Sequence, residues 1–161
     1  MIDEEVKAVA LVIIGLMAAV SVYPILAESR VVEPFSELGV LGPYGKLGDY
    51  PRQLAKGQEF SLFLYVGNHE GRSEYYRVVA KIGDQTTNVS DTTPLERLPV
   101  RSWEAVLINE ANTTIPIKMS LSEAGLNRRL VFELWRYDLS SNVFVYHQRW
   151  TQLWLNVTST R

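Results

Sequence analysis

The chain opens on an unbroken apolar run and then changes rhythm. Between Lys7 and Glu28 lie 20 residues without a charge, AVALVIIGLMAAVSVYPILA. At about 1.5 Å per residue, a helix of that length spans about 30 Å, the thickness of a bilayer's hydrocarbon. Val9, Leu11, Val12, Ile13, Ile14, Leu16, Met17 and Val20 go round every side of such a helix. That distribution suits lipid or a large core, and the rest of the chain is too small to enclose it. Tyr23 and Pro24 fall near its end, where an aromatic ring favours the membrane interface. The pattern predicts an anchor helix over residues 1–30 that meets a lipid bilayer through residues 8–27.

After residue 30 the period falls to two. Val31 to Pro51 is broken repeatedly by Pro34, Gly39, Gly42, Pro43, Gly45, Gly48 and Pro51, with a short strand expected around Glu37–Leu41. Phe60, Leu62, Leu64 and Val66 then alternate with Ser61, Phe63 and Tyr65, the mark of a strand with one buried face. Asn68-His69-Glu70-Gly71 reads as a turn. Tyr76, Val78, Ala80 and Ile82 form the next inward set, with Arg77 and Lys81 outward. Together these predict a hairpin over about 59–82. Asp91 to Pro99 reads as a loop, Trp103 to Ile108 as a strand, and Thr114 to Met119 as another, with Pro116 pointing to an edge or a bulge. Leu130 to Trp135 and Val143 to Trp150 form an antiparallel pair round the turn Asp138–Asn142, and Leu153 to Val157 is a last strand or a continuation past a bulge. The expected fold is mainly β, an antiparallel immunoglobulin-like β-sandwich over residues 31–161, preceded by one N-terminal transmembrane helix.

Composition narrows the chemistry. The chain has no cysteine and only two histidines, His69 and His147, which excludes a disulfide framework, a thiol nucleophile and a thiolate or histidine-rich metal site. A formal net charge of -2 and the lack of a basic tract argue against a nucleic-acid partner. Three segments fit the N-glycosylation acceptor pattern: Asn88-Val89-Ser90, Asn112-Thr113-Thr114 and Asn156-Val157-Thr158. They favour placing the residues after about 30 outside the cell. Lys7 and Arg30 flank the apolar run on its two sides, so the charge rule for orientation scarcely decides.

Three other readings of the amino-terminal run stay open. It could be a cleaved secretory signal ending near Ile25-Leu26-Ala27, although its start is acidic. It could be a filament subunit's helix behind a leader cut before Val9, because Lys7-Ala8-Val9-Ala10 resembles the short motif cleaved by archaeal prepilin peptidases. It could be a core helix of a soluble protein.

Pro34-Phe35-Ser36-Glu37-Leu38-Gly39-Val40-Leu41-Gly42-Pro43 leads into Gly48-Asp49-Tyr50-Pro51, then Gly57, then Val66-Gly67-Asn68-His69-Glu70-Gly71. This order resembles an archaeal family known as domain of unknown function 1616. The closing stretches Leu130–Trp135 and Leu153–Val157 are similar to that family's last hairpin, and the resemblance covers roughly residues 33–158. It implies an extracytoplasmic β-sandwich attached to membrane segments, and it brings no activity and no catalytic residues to carry over. Many members have several spans, whereas this sequence shows one.

The remaining motifs point away from catalysis. Gly39 to Lys46 lacks the spacing of a phosphate-binding loop, and no Gly-x-Ser-x-Gly elbow occurs. Asn68 and Gly71 are expected to make a turn in which Glu70 caps backbone amides. His147 is expected as a surface or sheet histidine, and Glu104 and Glu133 as solvent-facing. No enzyme activity, metal or cofactor is expected. The aromatic residues offer more: Trp135, Tyr137, Tyr146 and Trp150 alternate along strands, so some must point outward, where they could stack on sugars or meet a protein partner. The expected role is a binding or structural subunit of an envelope assembly, with protein partners or self-assembly.

Overall fold

The computed structural model describes residues 3–28 and 33–159. The expected boundary at residue 30, and Arg30 itself, lie outside them. The chain divides into two compact units, Met1–Glu33 and Pro34–Arg161. In the first, helix α1 spans Glu4–Glu28. No residue of its apolar window Val6–Tyr23 is buried. Leu11, Val12, Ile14, Met17 and Val20 are all more than half exposed, on every side of the helix. Length and composition therefore suffice to cross a membrane.

The second unit holds eight strands: β1 Phe35–Leu41, β2 Gln53–Ala55, β3 Glu59–His69, β4 Glu74–Gly83, β5 Pro99–Leu107, β6 Ala111–Ser120, β7 Gly125–Asp138 and β8 Val143–Thr158. One sheet has the order β1-β3-β6 and the other β2-β8-β7-β4-β5. Apart from the short parallel pair of β2 with β8, neighbouring strands are antiparallel. The layout is that of an immunoglobulin-like sandwich, with β1, β3 and β6 in the places of strands A, B and E and with β8, β7, β4 and β5 in those of G, F, C and C′.

The expected hairpin over 59–82 is corrected. β3 and β4 are both strands, but they belong to different sheets. The turn after His69 carries the chain across the sandwich. β5 and β6 are likewise split between the sheets. Period-two patterning fixes which side chains face inward and is silent on which neighbour a strand takes. The β7–β8 pair is a true hairpin, and β8 runs unbroken to Thr158, with its bulge near His147 rather than after Trp150.

The core lies between the sheets. Leu62, Leu64 and Val66 of β3 and Ile117 and Met119 of β6 meet Tyr76, Val78 and Ala80 of β4 and Leu130, Phe132 and Leu134 of β7. Each inward side chain removed from water contributes about 1.5–3 kcal/mol. Phe132 is fully buried and packs on the Trp103 ring at 6.3 Å between centroids. Phe132→Ala is expected to destabilise the domain by about 3–5 kcal/mol, through lost transfer energy and the cavity left behind. Urea unfolding followed by tryptophan fluorescence measures it.

Candidate functional site

The outward face of the five-stranded sheet carries all four of the expected surface aromatics, and the fold treats them in two ways. Cross-strand pairing places Trp135 beside Tyr146, Tyr137 beside Phe144, and Glu133 beside Trp150. One half of this face is covered by the segment 84–98. There Val89 and Leu95 bury themselves against Val131, with Trp150 packed alongside. The Tyr146 hydroxyl donates to the Ser90 carbonyl at 2.7 Å, and burial pushes its pKa up to about 12. Trp150 and Tyr146 therefore serve a second, smaller core.

Beneath the same segment lies an ion pair. Lys81 Nζ stands 2.9 Å from Glu133 Oε2. It also donates to the Leu95 carbonyl at 2.8 Å, while the Leu95 N–H donates to Glu133 Oε1 at 2.5 Å. Trp135 Nε1–H completes the carboxylate's shell at 3.1 Å. The expectation that Glu133 faces solvent is thus corrected, since the residue is fully buried. Lys81 does point to the outward face but is buried there as well. A sequence pattern shows the face of a sheet, not the loop that later folds over it.

The other half of the face stays open. Trp135, Tyr137 and Phe144 line a groove of about 610 Å³ together with Arg77, Arg97 and Val143. Tyr75, Tyr137 and Phe144 pack edge to face, with Tyr75–Phe144 at 67° and Tyr137–Phe144 at 69°. Trp135 and Tyr146 are tilted by 58°. These rings brace one another at steep angles rather than lying in a flat row. The Arg77 guanidinium lies 3.7 Å over the Phe144 ring and pairs with Glu104 at 2.6 Å. Arg97 stands 3.7 Å from Asp84. Each cation of the groove therefore has its own carboxylate, and the groove presents aromatic surface without net charge to draw an ionic ligand.

A second cluster joins the two sheets at one edge. In β8 the pairing with β7 shifts between Leu134 and Trp135, and Gln148 takes a positive φ of 57°. This bulge turns His147 and Arg149 toward β1. His147 Nε2 lies 2.8 Å from Ser36 Oγ and 2.9 Å from Glu70 Oε1. Ser36 Oγ also lies 2.7 Å from Glu70 Oε1 and 2.7 Å from the Tyr76 hydroxyl. Arg136 approaches Glu70 Oε2 at 3.5 Å, and Arg149 Nε donates to the Ser36 carbonyl at 3.1 Å. Asn68 organises the turn as expected: its Oδ1 accepts from the Glu70 N–H, and its Nδ2 donates to the carbonyls of Arg72 and Leu107. Gly71, at φ 77°, completes it. Among the described residues Glu70 caps no backbone amide. Its carboxylate leaves the turn and clamps Ser36, His147 and Arg136.

Proton counting limits what this cluster can do. A carboxylate only accepts, so a nitrogen 2.9 Å from it must carry hydrogen. His147 is then protonated at Nε2 and cannot take the proton of Ser36, as a nucleophile's base would. Ser36 is also a buried residue, at 2% exposure. The arrangement works as a polar clamp between sheets. Ser36, Tyr76, Arg136 and Arg149 were not legible as its members from sequence; the motif Asn68-His69-Glu70-Gly71 was the one signal. His69, the neighbour, stacks on Phe35 at 4.6 Å and hydrogen-bonds Glu110 at 2.7 Å outside the clamp.

The clamp and its turn lie within a span that a family model matches. The family described as "Domain of unknown function (DUF1616)" matches residues 29–156. The chain belongs to this family. No curated protein matches the sequence. Among solved structures, the DUF1616 domain is similar to part of a β-glucosidase from Listeria innocua, with a TM-score of 0.52, 11% identity, 79% of this chain covered and 16% of the enzyme. The chain thus spans about a sixth of that enzyme's length, and the likeness concerns the fold. A CARDB domain from Pyrococcus furiosus gives a TM-score of 0.49 at 12% identity, over 80% of this chain and 96% of that one.

Two outcomes follow for the DUF1616 domain. Lys81→Ala leaves the Glu133 carboxylate buried without its cation and is expected to cost about 3–5 kcal/mol in urea unfolding. The clamp makes stability pH-dependent. Burial holds His147 below its usual 6.5, with Arg136 and Arg149 adding to that effect against the upward pull of Glu70. Burial would raise Glu70, but hydrogen bonds from Ser36 and His147 and the Arg136 charge keep it below its usual 4.5. In both cases the unfolded chain binds the proton more tightly, so stability is full above the unfolded value and falls as pH drops below it. His69, raised by Glu110, acts in the opposite sense from the surface. The melting temperature is therefore expected to fall from about pH 6.5 downward. His147→Gln, which keeps a donor for Glu70, is expected to flatten the upper part of that fall, and an unchanged slope would contradict the assignment.

Proposed function

We propose that this DUF1616 chain is a membrane-anchored protein of the archaeal cell envelope. Its β-sandwich is held on the extracytoplasmic side and acts as a binding or structural subunit rather than as an enzyme. The observation that carries the reading is the Val6–Tyr23 helix, apolar on every side and with none of its residues buried. Exposure of that much apolar surface to water is unfavourable by about 25 cal/mol per Å², and lipid removes it. The sandwich adds two supports. Its clamp leaves the serine without a base, and its open aromatic groove offers desolvatable surface of the kind enriched where proteins meet. On this reading Tyr137 and Phe144 face a protein partner.

Placement is tested directly. The chain should stay in the membrane pellet through alkaline carbonate washing and leave it only with detergent. Because the sequence contains no cysteine, Leu139→Cys, at a turn residue 83% exposed, creates a unique thiol. A membrane-impermeant maleimide should label it in intact cells. Release by carbonate would refute the anchor, and labelling only after lysis would refute the side.

A further inference from the structure

The three acceptor segments occupy different physical situations. Asn156 lies on β8 between β2 and β7. Its backbone N–H donates to the Arg52 carbonyl, and its Oδ1 accepts from the Asn127 N–H at 2.9 Å. The hydroxyl of Thr158 donates to the Leu54 carbonyl at 3.3 Å. The amide oxygen of Asn156 and the hydroxyl of Thr158 are therefore both engaged, which holds the acceptor side chain in place on a strand that has neighbours on both sides.

Asn88 is intermediate. Its side chain is exposed, but Val89 is buried in the second core and Ser90 Oγ accepts the N–H groups of Thr92 and Thr93. Asn112 differs from both. It lies near the start of β6, an edge strand paired only with β3. Asn112 and Thr114 are exposed and, two apart on a strand, share one face. Neither side chain makes a hydrogen bond among the described residues. The residue paired with Asn112 across the sheet is Gly67, which sets no side chain beside it.

We infer that Asn112 is the N-glycan acceptor of this protein and that Asn156, despite an intact sequence motif, is not. This rests on the extracytoplasmic placement proposed above. The chemistry is a transfer from a lipid-phosphate-linked oligosaccharide of the same membrane. The Asn112 Nδ2 attacks the anomeric carbon, the nitrogen–carbon bond forms, the bond from that carbon to the phosphate oxygen breaks, and the lipid phosphate leaves with the electron pair. One Nδ2 proton goes to a base of the transferase. A sugar there stands beside the unpaired edge of β6, where Pro116 and Lys118 already discourage pairing with a foreign strand. The glycan extends that protection along the edge.

Trypsin separates the three segments, because Lys81, Arg97, Arg101, Lys118 and Arg149 place Asn88, Asn112 and Asn156 in different peptides. The full chain is recovered in detergent from the membranes of the cells that make it, and its peptides are weighed. The expected result is a hexose-containing mass increment on the 102–118 peptide and none on 150–161. Asn112→Gln and Thr114→Ala should each abolish the increment, and Asn156→Gln should leave it unchanged. The Leu139→Cys labelling is run on the same cells. Labelling from outside with no sugar on Asn112, or with sugar on Asn156, overturns the acceptor assignment while the placement stands. Absence of outside labelling overturns both.

Discussion

The Glu133 carboxylate is the point on which the five-stranded sheet is organised. It projects from the outward face of β7, where an isolated buried charge would be strongly unfavourable. Lys81, the Leu95 N–H and the Trp135 indole close round it. Leu95 cannot reach it unless the segment 84–98 lies flat across the sheet. Once that segment lies there, Val89 and Leu95 gain Val131 and Trp150 as neighbours and a second core forms. β7 is thereby buried on both faces over its middle. The ion pair fixes where the cover goes and hence where it stops.

What lies beyond the cover follows from that limit. The groove of Trp135, Tyr137 and Phe144 is the part of the aromatic face that the segment does not reach. It is open because the cover is held at the Glu133 end, and it is uncharged because each cation near it has its own partner. At the sheet edge the β8 bulge does a different task. It takes two residues out of the ladder so that His147 and Arg149 can turn to β1. A polar clamp there joins layers that hydrogen-bond laddering alone leaves unconnected, with each polar group given a partner.

Much of this was legible beforehand. The apolar run before Glu28 and the alternation from Phe60 onward set one helix and a sandwich, because the two periods admit few other packings. Tyr76, Val78, Ala80, Leu130, Phe132 and Leu134 were readable as inward-facing from alternation alone. Glu133 was not readable as buried, nor Glu70 as the carboxylate that joins the two sheets. A charged residue on an outward strand position or in a turn carries the same local signature whether water or a folded segment covers it. His147 gave no warning of its role, since bulges depend on pairing across strands rather than on the bulged residues themselves.

The sequence by itself determined the apolar helix, the β class, the strand faces and the family motif. Each of these depends on local periodicity or on a fixed order of residues. Only the tertiary structure decided that β3 and β4 lie in different sheets, that half of the aromatic face is covered, and that Asn156 is engaged while Asn112 makes no side-chain hydrogen bond among the described residues. Those outcomes depend on contacts between residues far apart in the chain, and local pattern carries no information about which distant partner arrives.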